Sequence, residues 1–182
     1  MKVLLSVCLW MAIQPCFAES ASEQDYDFKL GHWRIDAKAM KPDQSHDQGS
    51  GSGHVFRNQV GIIQDDLCID MQQAPDAVGS TMRTLDPVKK IWHVTWVSYG
   101  SPSGSGTGTG TASDGTVVEQ FPGSDEHGEY VDEMRFTLHG PDHYVAELSR
   151  TYKNGGYRLE CVWCYEARRV SQPIEDQCGL LK

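Results

Sequence analysis

The chain has 182 residues, with 25 acidic against 16 basic side chains and a formal net charge of -9 at neutral pH. That length fits one ordinary domain, and an apolar fraction of 39% with five Trp, seven Tyr and five Phe is too rich in large apolar groups for a disordered chain. The acidic balance, with no Lys/Arg-rich patch, argues against nucleic acid and against an anionic membrane surface as partners, and no apolar run is long enough to span a bilayer.

Residues 1–18, "MKVLLSVCLWMAIQPCFA", carry one charge at Lys2, an apolar stretch from Val3 to Ile13, a helix-breaking Pro15 and a small residue at Ala18. That is the layout of a secretory signal peptide cleaved after Ala18. Gln14 and Pro15 before Cys16 do not suit a lipidation site. The expected product is secreted or periplasmic, with 15 basic and 25 acidic residues, net -10, and four cysteines: Cys68, Cys161, Cys164 and Cys178.

An even number of cysteines in an oxidising compartment favours disulfides and allows three pairings. The Cys161 and Cys164 spacing invites a redox or zinc reading. A redox pair of this kind sits at a helix start that lowers the thiol pKa, whereas "GYRLECVWCYEARRV" alternates like a strand; zinc wants a second pair or two suitably spaced His. No metal site is expected. On a regular strand, positions three apart face opposite ways, so the expected bridge joins an outward Cys164 to Cys178 in the tail, residues 171–182. Cys68 is the competing partner.

From residue 19 to 170 the sequence reads as one antiparallel all-β domain of short alternating runs separated by Gly, Pro, Asn and Asp. A helix is expected near 19–26. The strands fall at about 29–38, 52–58, 61–72, 80–86, 91–99, 116–121, 131–139, 143–152 and 157–170. Pro87 in "LDPVKK", Gly140 and Pro141 in "HGPDH", and "KNGG" at Asn154 mark turns. "SYGSPSGSGTGTGTASDG", residues 98–115, lacks the Lys-Ser/Thr ending of a phosphate loop and reads as a mobile hairpin loop.

Strand parity assigns faces. Gly31, Trp33 and Ile35 point inward on the first strand, Trp92, Val94 and Trp96 on the fifth, and Tyr144, Ala146 and Leu148 on the eighth. Tyr157, Leu159, Cys161, Trp163, Tyr165, Ala167 and Arg169 do so on the last, where Arg169 is a charge ending an apolar row. So many inward aromatics suit an up-and-down barrel of 8–10 strands, which has no open edges.

Three segments resemble the bacterial, often secreted family known as domain of unknown function 1579. They are the Asp-x-Asp-Phe-x-x-Gly-x-Trp opening (Asp25, Asp27, Phe28, Gly31, Trp33), the turn and paired tryptophans of "TLDPVKKIWHVTWVS" (Asp86, Pro87, Trp92, Trp96, with Leu85 where the family has an aromatic), and the closing strand with Trp163 and Arg169. The resemblance implies a calycin-like barrel related to lipocalins and nitrobindin. It also implies that Gly31, Trp33 and Arg169 form a plug, the guanidinium lying over the indole. It implies no activity.

The likeness to nitrobindin raises haem, which needs an inward His. His32, His93 and His143 alternate with inward residues and so face out, His54 has no clear parity, and His46, His127 and His139 sit in loops or turns. No cofactor is expected. The acidic stretch "GSDEHGEYVDE", residues 123–133, lacks the spacing of an EF-hand loop and reads as a solvated loop. No nucleophile-elbow pattern occurs. The inward aromatics either fill the barrel or line a pocket. As a lining, Trp33, Trp92, Trp96, Tyr144, Trp163, Tyr165 and Arg169 would bind a small hydrophobic molecule. The rival readings are an isomerase or cyclase using Tyr165 and Arg169, and an interaction module with a filled core; oligomeric state is not legible.

Overall fold

The computed structural model describes residues 21–100, 104–113 and 115–174. The expected signal peptide and Cys178 lie outside them. The described residues form ten strands: β1 Gly31–Met40, β2 His46–Arg57, β3 Ile63–Met71, β4 Ala77–Asp86, β5 Ile91–Ser98, β6 Gly106–Ser113, β7 Thr116–Asp125, β8 Gly128–Leu138, β9 His143–Tyr152 and β10 Arg158–Val170. Each pairs antiparallel with the next, and β1 closes on β10 with Trp33 opposite Arg169. The result is an up-and-down barrel with no free edge.

Alternation places the core. On β1, Trp33, Ile35 and Ala37 are buried while Arg34, Asp36 and Lys38 are exposed; on β9, Tyr144 and Ala146 are buried. The inward parity expected for β1, β5 and β9 is the one observed. Tyr157 departs from its expected inward row: it precedes β10 and is 52% exposed.

Three expectations are corrected. Residues 98–115 are not all loop, because β6 occupies 106–113 and supplies the tenth strand. Its Gly-Thr alternation is a period-two pattern, with Thr107, Thr109 and Thr111 exposed and Gly110 buried. A Cβ on Gly110 would stand 2.6 Å from the Tyr26 hydroxyl and 3.3 Å from the Trp92 Cβ, so the missing side chain makes room for two core rings. Second, the described part of 19–26 is not a helix. The backbone N–H and hydroxyl of Ser22 donate to Asp25, whose carboxylate also accepts from the Trp92 indole. The chain turns there and enters a short 3₁₀ turn, Asp27–Lys29.

Third, Cys164 pairs with Cys161, not with Cys178. Between Leu159 and Trp163 the register with β9 shifts, so four steps on β10 face two on β9, from Leu148 to Arg150. Cys161 sits in this bulge with φ of +52°. The irregular backbone removes the opposite-face rule that separates residues three apart on a regular strand. Cys68 is disulfide-bonded as well.

Candidate functional site

The barrel has a plugged end and an open end. The plug is the segment before β1, which folds under the barrel and buries Ala21, Tyr26 and Lys29. Arg169 holds it in place. Its guanidinium lies 4.3 Å from the Trp33 ring and donates to the carbonyls of Phe28 and Leu30 in the plug and of Pro141 in the turn before β9. The Trp33 indole N–H donates to the Lys29 carbonyl at 2.6 Å. Gly31 has φ of +123°, and a Cβ there would stand 2.6 Å from Arg169 Nη1. Gly31, Trp33 and Arg169 are thus one structural unit: the glycine lets the guanidinium approach, and the indole gives it a cation–π face.

Above the plug lies a buried ionic layer. Lys29 Nζ pairs with Asp65 on β3; Arg83 on β4 donates through Nε to Glu119 on β7 at 2.6 Å and lies 3.5 Å from Asp65 through Nη1. The Tyr26 hydroxyl also donates to Glu119, at 2.9 Å. Two cations balance two carboxylates, which is what allows charges to sit at such depth. Burial raises the Asp65 carboxyl, but the adjacent Lys29 and Arg83 outweigh it and hold the pKa below the ordinary value. Burial, with Arg83 nearby, pulls the Lys29 pKa down.

Between this layer and the open end is a cavity of about 570 Å³. Its floor includes Asp65, Arg83, Glu119, Thr81 and Tyr165; its walls are apolar and aromatic, with Leu67, Trp96, Phe121, Met134, Leu148 and Trp163. At the mouth, Arg150 lies 3.6 Å from the Tyr130 ring and donates through Nε and Nη2 to Asp132 and through Nη1 to Asp125. The Tyr152 hydroxyl donates to Asp125, and Lys153 pairs with Glu129. These acidic residues of the β7–β8 hairpin are engaged by basic side chains of β9 and the turn after it. Burial, then the Asp65 charge, pushes the Tyr165 hydroxyl well above its usual range, so it remains a neutral O–H donor.

The structure divides the candidate ligand residues between the two ends. Trp96, Trp163 and Tyr165 line the cavity. Trp33, Trp92 and Tyr144 are buried in the core, and Arg169 belongs to the plug; none of these four borders the cavity. Parity distinguishes inside from outside but not one end of a barrel from the other, which is why a single inward row was split. Three charged floor residues were missed although their signal is in the sequence. Asp65, Arg83 and Glu119 occupy inward positions between Ile63 and Leu67, Thr81 and Leu85, and Val117 and Phe121. Lys29 was missed because it lies in the plug, where alternation does not apply. Of the histidines, His93 and His54 are exposed, and His54 stacks on His32 with ring centres 4.3 Å apart. Among the described residues no group of His, Cys, Asp and Glu is arranged to hold a metal ion.

No protein-family model matches the chain, and no curated protein matches it. A solved structure does: the S-type phycobiliprotein lyase CPES of Guillardia theta is similar with a TM-score of 0.60 at 14% sequence identity, over 87% of this chain and 99% of that one. The chain therefore has the ten-stranded, lipocalin-like barrel fold seen in that lyase.

Proposed function

We propose that the protein is an exported binding protein that holds a small, mainly hydrophobic molecule in the barrel. The observation that carries this is the 570 Å³ cavity with its aromatic and aliphatic wall, a size and lining suited to a small organic ligand. The fold likeness to a protein named as a phycobiliprotein lyase agrees with small-molecule handling in such a barrel. The same reading places the chain beside the secreted family known as domain of unknown function 1579. Its support is the Asp25-to-Trp33 opening, the Trp92 and Trp96 pair, and the Gly31, Trp33 and Arg169 plug. The isomerase or cyclase alternative keeps Tyr165 in the cavity but loses Arg169 to the plug.

Native mass spectrometry of protein purified without organic solvent tests the binding role. The expected spectrum shows a one-to-one adduct that solvent extraction removes and that returns on adding a lipophilic compound. A chain that neither carries nor accepts any such compound contradicts the proposal. Export is tested by the intact mass of protein recovered from the periplasm or medium, expected to begin at Glu19 after cleavage behind Ala18.

A further inference from the structure

The cavity is two-sided in chemistry, and its floor restricts which polar group a ligand can carry to the bottom. Arg83 spends Nε on Glu119 and Nη1 on Asp65, which leaves the N–H groups of Nη2 uncommitted to those carboxylates. Tyr165 borders the same floor with its hydroxyl kept protonated by burial, and Thr81 adds a second hydroxyl. The floor therefore offers donors. Its charge is already balanced, Lys29 and Arg83 against Asp65 and Glu119. A ligand carboxylate seated there would place a third anion against two cations in a desolvated site, and an ammonium would add a third cation. Either would be a buried charge without a counter-ion, whose lost hydration the floor's hydrogen bonds do not restore. An uncharged acceptor takes the spare donors at no such cost.

We infer that the ligand of this cavity is an amphipathic molecule whose polar end is an uncharged hydrogen-bond acceptor, a ketone, ester or alcohol oxygen, seated on Arg83 and Tyr165 with its apolar body along Leu148, Met134 and Trp163. This rests on the barrel cavity being the ligand site.

Displacement of the neutral fluorophore N-phenylnaphthylamine by dodecanol, a methyl ketone of the same chain length, laurate and dodecylamine tests the inference. The alcohol and the ketone are expected to displace it, with laurate and the amine weaker by about tenfold or more. Tyr165→Phe keeps the ring and removes one donor; Arg83→Lys keeps the charge and removes the guanidinium fork, Nη2 together with the Nε and Nη1 bonds to Glu119 and Asp65. Each is expected to weaken the ketone about fivefold more than it weakens the fluorophore, which carries no oxygen to accept from these donors. Should Arg83→Lys fail to fold, Tyr165→Phe alone decides. Laurate or the amine binding as tightly as the ketone, or a ketone affinity unchanged in Tyr165→Phe, overturns the inference while the cavity remains a ligand site. Failure of the fluorophore to bind the wild-type chain overturns the binding role itself.

Discussion

Arg83 and Arg169 are both guanidiniums lying close to aromatic rings, but they do different work. Arg169 is partly exposed and ties the plug to β10 through carbonyl acceptors and the Trp33 face. Arg169→Met is expected to lose those bonds and lower stability by about 2–3 kcal/mol, read as a lower urea midpoint with an unchanged slope. Arg83 is 2% exposed and neutralises two carboxylates from inside. Arg83→Met leaves them with Lys29 alone and is expected to cost about 3–5 kcal/mol; adding Glu119→Gln should recover part of the loss, because the orphaned charge goes with it. Asp65 gives the layer its pH dependence. Its folded pKa lies below the ordinary carboxyl value of 3.8, so its contribution is complete above that value and is lost as pH falls through the folded value. In acid titrations followed by near-UV circular dichroism, Asp65→Asn is therefore expected to be less stable than wild type at neutral pH, with the gap closing below about pH 4.

At the level of elements, β6 and the β10 bulge show where local pattern and tertiary structure part company. β6 is a Gly-Thr repeat that supplies almost no side-chain volume inside the barrel, because Tyr26 and Trp92 fill that space from neighbouring elements. Gly110→Val would push a branched side chain into both rings, with an expected loss of about 1–3 kcal/mol measured as a drop in melting temperature. The bulge has a chemical signature. Alkylation without reductant followed by intact-mass analysis is expected to find no free thiol among Cys68, Cys161, Cys164 and Cys178, and a proteolytic map to find Cys161 joined to Cys164. A peptide linking Cys164 to Cys178 would contradict that pairing. The strands with apolar inward rows were legible because one face of each is buried, which forces period two. β6 was not, since glycine leaves no apolar residue to count, and the bulge was not, since a register shift depends on the partner strand and leaves no mark on its own.

Across the whole molecule, the barrel stacks three layers along its axis: an aromatic plug, a neutral ionic layer and an apolar chamber open at the far end. Closure of a ten-stranded sheet was readable from alternation and the Gly31, Trp33 and Arg169 set, whereas the assignment of each inward residue to a layer needed the axis itself. The same axis explains why Trp33 and Trp92 belong to stability while Trp96 and Trp163 border the chamber. The most direct test of the chamber as a binding site is a fluorescence titration of N-phenylnaphthylamine against wild type and Leu148→Trp, a variant that places an indole in the cavity without touching the plug. The account predicts saturable, blue-shifted binding by wild type and weaker binding by Leu148→Trp at an unchanged melting temperature. Equal binding by both proteins, or none by wild type, would contradict it.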